Sequence, residues 1–277
     1  MSLRIATNIQ AIAAQRALGL NYEAQGRAME HLASGSRINR AGEDAAGLAI
    51  SEKLKSSIRS MKQMNRNAND GISLVQTAEG AMNEVGNILI RLRELSIQGA
   101  SDTIGDVERS FINKEVQGLK SEIDRISNST EFNGTKLLDG SSPVLEFQIG
   151  LHNNPMLDRF VFDTTDSVTT ASALGIDTVA TKDKVSSQEN LSMLDHAIVR
   201  LNEIRSSMGA LQNRLNSSIN NMNIYRENLE GANSRIRDAD MAAETSELVK
   251  TNILTTANVA VLGQANTTPQ LAIKLLG

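Results

Sequence analysis

The sequence predicts a mainly α protein, a long antiparallel coiled-coil-like helical bundle that carries a small β-hairpin patch. Three observations predict it. The prolines are Pro143, Pro155 and Pro269, so residues 1–142 and 156–268 contain none and long helices can run through both stretches. Leu194, Leu201, Met208, Leu215, Met222 and Leu229 recur at every seventh position, the period of a long helix packed along its length. Between the two halves the period changes to two: Val144, Glu146 and Gln148 alternate with Leu145, Phe147 and Ile149, as in a half-buried strand.

Taken in order, the first element is a helix with Ile9, Ala13, Ala17, Leu20, Ala24, Ala28 and Leu32 on one face. It stops at Ser34-Gly35-Ser36, a natural break. A short helix follows from about Asp44, with Leu54, Ile58 and Met61 on one side. Glu43-Asp44 sits where that helix begins, and acidic groups there cap free N–H groups and complement the helix dipole. The next stripe, Val75, Ala78, Met82, Val85, Leu89 and Leu92, alternates by three and four, the a/d pattern of a coiled-coil seam. After Gly105 a further helix carries Ile112, Val116, Leu119, Ile123 and Ile126.

Asn153-Asn154-Pro155 signals a turn, and Arg159 to Asp163 reads as a second strand. The Ser- and Thr-rich stretch 164–190 reads as a surface connection. The late heptad helix follows, flanked by Leu191, Ile198, Ile204, Leu211, Ile219 and Tyr225. The last segment, from about 240, is apolar almost all round, at Ile253, Leu254, Ala257, Val259, Val261 and Leu262 among others. A helix of that kind must be covered on every side. Ordering a residue costs roughly 1–2 kcal/mol of backbone entropy, so two terminal helices without a large core are loose alone. Oligomerisation is the expectation from the residues themselves.

Composition narrows the function. Aromatics are 3% of the chain and tryptophan is absent, which suits slender helix seams better than a thick enzyme core. Cysteine is absent, which removes disulfides, thiolate catalysis and Cys-based metal sites. The formal charge is −4, and no run of Lys and Arg is long enough to track phosphates, so nucleic acid is not an expected partner. His31, His152 and His196 lie far apart and form no metal motif. There is no Walker loop or nucleophile elbow, and no cofactor is expected. Arg91, Arg93 and Glu94 read as a solvated helix face. The first residues lack the apolar region of a secretory signal, and no stretch reaches membrane-span length. Membrane insertion is therefore not expected; the chain stays in the cytosol or leaves by a route that needs no cleaved signal.

Several stretches resemble bacterial flagellin. They are Leu32-Ala-Ser-Gly-Ser-Arg-Ile-Asn-Arg-Ala-Gly-Glu-Asp-Ala-Ala-Gly-Leu-Ala-Ile50, Asn69-Asp-Gly-Ile-Ser-Leu-Val-Gln-Thr-Ala-Glu-Gly-Ala-Met82, Arg91-Leu-Arg-Glu-Leu-Ser-Ile-Gln98 and Glu131-Phe-Asn-Gly-Thr-Lys-Leu-Leu138. In the second half they are Gly209-Ala-Leu-Gln-Asn-Arg-Leu215, Ser234-Arg-Ile-Arg-Asp-Ala-Asp-Met241, Leu262-Gly-Gln-Ala-Asn266 and Pro269-Gln. The likeness covers about residues 1–140 and 188–277, so it is to a minimal flagellin without large outer domains.

The resemblance implies a structural subunit, not an enzyme, that self-assembles into the flagellar filament for motility. It would be exported through the flagellar secretion apparatus without a cleaved signal peptide, and would be extracellular. Residues 1–43 and 233–277 would be the inner-tube helices and their linkers, pairing in the assembled filament. Residues 44–232 would be a rod-shaped helical domain with a β-hairpin near 140–165. The inner-tube interface would use Ile5, Ile9, Ile12, Leu20, Ile253, Leu254, Val261, Leu262, Leu271 and Leu275. The rod seam would use Val75, Met82, Leu89, Leu201, Met208, Leu215 and Met222. Partners by resemblance are further copies of the chain, the flagellar export chaperone on the C-terminal helix, and the hook–filament junction and cap proteins. An animal innate-immune flagellin receptor would meet Arg91, Leu95, Gln98 and Glu115; the family's usual Gln before the Arg is Ile90 here. The competing readings are a junction protein of the same family and, from another class, a coiled-coil signalling adaptor.

Overall fold

The computed structural model describes the backbone of residues 7–275 and the side chains of residues 7–267. In order the elements are α1 (Ile9–Ser34), α2 (Ala45–Gly99), α3 (Asp106–Ser129), β1 (Glu131–Phe132), β2 (Thr135–Lys136), β3 (Leu145–Gln148), α4 (Pro155–Asp158), β4 (Arg159–Phe162), α5 (Lys184–Arg237) and α6 (Met241–Leu275). Two compact units form: one of Met1–Ile58 with Glu227–Gly277, the other of Arg59–Arg226. Both α2 and α5 contribute residues to each.

In the 59–226 unit, α2 and α5 run antiparallel. Arg93 Nε donates to Asp195 Oδ1 at 2.7 Å, and Asn65 Nδ2 donates to Asn223 Oδ1 at 3.1 Å. Between these levels lies an aliphatic seam. Val75, Ala78, Met82, Val85, Leu89 and Leu92 of α2 are buried, as are Leu194, Leu201, Met208, Leu215 and Met222 of α5. From α3 come Ile112, Val116 and Ile123. Two helix glycines mark close approaches. A Cβ on Gly71 would sit 3.2 Å from a Phe147 ring carbon, and one on Gly86 would sit 3.4 Å from a Leu201 methyl.

The short helix expected from Asp44 and the seam helix from Val75 are one helix, α2, of 55 residues. No proline interrupts it, and the apolar positions Ile58, Met61, Met64 and Ala68 carry the buried stripe into Val75. Asp44 caps it, its Oδ1 accepting from Gly47 N at 2.8 Å. At the other end Arg109, a buried residue that sequence reading passed over, donates to the Gly99 and Ser101 carbonyls, both at 3.0 Å, and to Asp106 at 2.9 Å. Its guanidinium satisfies acceptors that the helix end leaves without partners.

β3 and β4 form the antiparallel hairpin that the alternation predicts, with Leu145 opposite Phe162 and Gln148 opposite Arg159. A second hairpin, β1–β2, was not anticipated. Its turn is Asn133-Gly134, with φ of 51° and 79°, the positive pair that a tight two-residue turn needs. The Asn-Gly dipeptide was the available signal.

The stretch after β4 corrects the surface-connection reading. Thr164, Ser167, Thr169, Ala171, Leu174, Ile176, Val179 and Thr181 are buried. The segment lies along α3, whose polar side chains hold it. Asp124 accepts from Ala171 N at 2.8 Å, Asn113 accepts from Thr181 N at 3.1 Å, and the Ser127 and Thr169 hydroxyls meet at 3.0 Å. Its Ser and Thr content looks like solvated loop, yet the buried hydroxyls of Thr164, Ser167 and Thr169 are hydrogen-bonded inside, which lowers the penalty for burying them; the Thr181 hydroxyl is buried without a partner. α5 therefore begins at Lys184.

Candidate functional site

The terminal unit is built by α1 and α6, which pack antiparallel. Asn8 Nδ2 donates to Ala265 O at 2.8 Å, Gln25 pairs with Asn252, and His31 Nδ1 lies 2.9 Å from Glu244 Oε1. α1 is bounded by its own chemistry. Asn8 Oδ1 accepts from Ala11 N, and Gly35, at φ 68°, turns its N–H back to His31 O at 2.8 Å. A left-handed residue at that position closes a helix, and glycine takes it without strain.

The side chains that this pairing buries are small. They are Ala11, Ala14 and Ala28 on α1 and Thr251 and Ala265 on α6. The large aliphatic side chains point elsewhere. Ile9, Ile12 and Leu20 of α1 are exposed, and so are Val249, Ile253, Leu254, Val259 and Val261 of α6; Ile253 is 63% accessible. Leu262 is half-buried. Ile5 lies outside the described residues, as do the side chains of Leu271 and Leu275.

The two linkers of this unit bind each other. Ser36 and Asp238 form an antiparallel bridge, with Arg37 N donating to Arg237 O at 2.6 Å and Ala239 N donating to Gly35 O at 3.0 Å. Arg237 also reaches Glu52, and its guanidinium holds the Glu52 carboxyl below the usual carboxylate range. Glu43 Oε2 accepts from Asn39 N at 2.7 Å and Arg40 N at 3.1 Å. Those two N–H groups, Asn39 first, hold the Glu43 carboxyl below its ordinary value. The other Glu43 oxygen lies 3.8 Å from His31 Nε2, so one imidazole faces carboxylates from the linker and from α6. These partners of His31 are brought to it only when α6 folds against α1.

A pH dependence follows from the Glu43 shift. A carboxyl depressed in the folded state contributes stability above its unfolded pKa, about 4.3 for glutamate, and that contribution is lost as pH falls through the lower folded value. Hydrogen exchange at Asn39 and Arg40, corrected for intrinsic rate, is expected to lose protection on acidification below that range. In Glu43→Gln the dependence should vanish. Protection that holds in wild type down to pH 2 would refute the account.

In the 59–226 unit the seam positions Val75, Met82, Leu89, Leu201, Met208, Leu215 and Met222 are all buried. On the outer face of α2, Arg91 donates to Glu115 Oε1 at 3.0 and 2.9 Å and to Glu94 Oε2 at 3.1 Å. The Glu115 carboxylate, then Glu94, raises the Arg91 guanidinium above its usual pKa. Gln98 is exposed beside this cluster, whereas Leu95 is only 2% accessible and lies in the core. Arg93 faces α5 through Asp195. Among the described residues no group of three or more His, Asp or Glu could hold a metal ion, and no helix is long and apolar enough to cross a membrane.

Helices joined along a buried aliphatic seam, with end helices that pair through alanine and leave isoleucine and valine outside, define a filament-type helical structural protein. Residues 5–143 match the bacterial flagellin N-terminal helical region, and residues 191–276 match the bacterial flagellin C-terminal helical region. The chain belongs to the bacterial flagellin family. It is 43% identical over 269 residues to flagellin of Halalkalibacterium halodurans, covering 97% of this chain and 98% of that protein. With flagellin of Bacillus subtilis the identity is 42% over 310 residues, covering 99% and 100%. The crystal structure of Bacillus cereus flagellin superposes with a TM-score of 0.51 at 30% identity, covering 57% of this chain and 88% of that chain.

Proposed function

We propose that this chain is the structural subunit of an extracellular bacterial flagellar filament, polymerising through its terminal unit. The observation that carries the reading is the inverted arrangement of α1 and α6, with alanines inside and Ile9, Ile12, Leu20, Ile253 and Val261 exposed. Full burial of one such aliphatic side chain is worth about 1.5–3 kcal/mol, offset by the cost of ordering and association. Neighbouring copies supply the cover, for the exposed Leu254 and the half-buried Leu262 as well. The buried seam of the 59–226 unit keeps the rod in one shape while it is stacked.

The same α6 surface needs shielding before assembly, which suits an export chaperone that grips this helix. Export without a cleaved signal, junction and cap proteins at the filament ends, and no catalytic role complete the reading. For an innate-immune receptor, Arg91, Gln98 and Glu115 offer an exposed charged and polar surface, with Leu95 beneath it setting the helix position. The test of the central claim is negative-stain microscopy of the full chain at high concentration with short filament seeds. Long uniform tubes are expected. Persistent monomers or short caps, with intact termini confirmed by mass, would replace the filament subunit with a junction protein.

A further inference from the structure

The tip of the β3–β4 hairpin holds the most exposed methionine among the described residues. Met156 is 92% accessible on the single turn α4, with Leu157 exposed beside it. The other methionines are covered to differing degrees. Met61, Met64, Met82, Met208 and Met222 are buried in the 59–226 unit, Met193 is half-buried, and Met29 and Met241 are 49% and 51% accessible on α1 and α6. The loop that carries Met156 is built without its thioether. Asn154 caps the turn by accepting from Met156 N at 3.0 Å, and Asp158 Oδ2 accepts from Asn154 N at 2.9 Å. Gln148 Nε2 donates to the Gly150 and His152 carbonyls, both at 2.8 Å. Ile149 N and Gly150 N both donate to Asp158 O, and the Asp158 side chain is buried against Gly150. All of these bonds use backbone, amide or carboxylate groups, so a chemical change at the Met156 sulfur leaves each of them intact.

A thioether is soft and polarizable, and the chain has no cysteine, so no thiol competes with it for a two-electron oxidant such as a peroxide. In that reaction a sulfur lone pair attacks one peroxide oxygen. The S–O bond forms, the O–O bond breaks, and a proton passes to the departing oxygen, which leaves as water. Sulfur loses two electrons and the peroxide gains them. Charge separates during the step, which favours a sulfur surrounded by water over one in an apolar interior. Met156 meets that condition in the folded chain. Met82 and Met208 meet it only when the unit opens, and a sulfoxide there would place a polar group in the aliphatic seam. At the hairpin tip the product stays in water.

We propose that Met156 is a reversible oxidation site for peroxides, turning the hairpin tip from apolar to polar while the fold stays as it is. The inference stands independently of the filament reading. The full chain is treated with dilute hydrogen peroxide, quenched at intervals, and each methionine is followed by peptide mass mapping. Met156 sulfoxide is expected first among these methionines. Met29 and Met241 should follow, and the five buried methionines should react at least about tenfold more slowly than Met156, since they wait for opening. Hydrogen-exchange protection of the Ile149 and Gly150 amides, which report the loop, should not change as Met156 sulfoxide builds up. Methionine sulfoxide reductases, one for each sulfoxide epimer, supplied with a dithiol that is oxidised to its disulfide as the oxygen leaves in water, should restore the thioether. Met156→Leu should remove the fastest phase and leave the slower ones unaltered. Sulfoxide on Met29, Met241 or a buried methionine ahead of Met156 would overturn the assignment, as would a fastest phase that persists in Met156→Leu. Loss of protection at Ile149 and Gly150, or a Met156 sulfoxide that the reductases leave in place, would overturn a reversible change that spares the fold.

Discussion

Replacing Leu215 by Ala is expected to cost the 59–226 unit about 2–5 kcal/mol, the range for truncating a buried leucine when its surroundings relax only in part. Leu215 has no accessible surface, and it meets α2 where Gly71 brings the backbone close. The cavity cannot be refilled by sliding the helices, because polar pairs at Asn65–Asn223 and Arg93–Asp195 fix their register on either side. At about 2–4 °C per kcal/mol for a unit of this size, thermal unfolding followed by circular dichroism should show a drop of several degrees at least. Met208→Ala should behave alike, since Met208 is buried in the same seam one heptad earlier. A melting curve that coincides with wild type would show that these positions do not form the core.

Deleting residues 1–33 is expected to abolish polymerisation while leaving the seam of the 59–226 unit folded. The deletion removes the capped α1 helix and with it the partner of α6, so the aliphatic positions on both helices lose the surface that neighbours would cover. Deleting 240–277 should have the same result from the other side. Ile253→Asp in the full chain is the finer test, since it keeps both helices and places one charge where assembly would bury it, a cost that an unpaired charge cannot recover. Sedimentation and microscopy should find non-polymerising chains in all three cases. Filaments from either truncation would remove the terminal helices from the assembly mechanism.

How far these features were legible in the sequence depended on whether a pattern was local. The heptad from Leu194 to Met222 and the alternation around Phe147 are periodic within one element, and period alone reports which face is buried. The continuity of α2 from the Leu54–Met61 stripe to the Val75 stripe is less legible, because the two apolar stripes are joined through the small residue Ala68 and a polar stretch, and the packing of Gly71 against Phe147 exists only in three dimensions. The 164–181 stretch was misread because composition was taken for solvation. Its Ala171 and Thr181 amides and its Thr169 hydroxyl are met by Asp124, Asn113 and Ser127 of α3, and no local rule pairs residues so far apart. The terminal site was legible as apolar content but not as orientation. That alanine faces the partner helix and isoleucine faces outward depends on which stripe α6 selects, and both stripes of α1 have helical spacing.

That choice of stripe also governs how growth can end. A two-helix ribbon stitched by alanines has little to lose when it is surrounded, and its large side chains face in several directions at once. One neighbour can cover only part of them. A dimer or any small ring would leave some of Ile9, Leu20, Val249 or Val261 still wet, so every finite assembly keeps an unsatisfied edge that accepts another copy. The length of such a polymer is then limited by the supply of subunits, and no information about when to stop has to be encoded in the subunit.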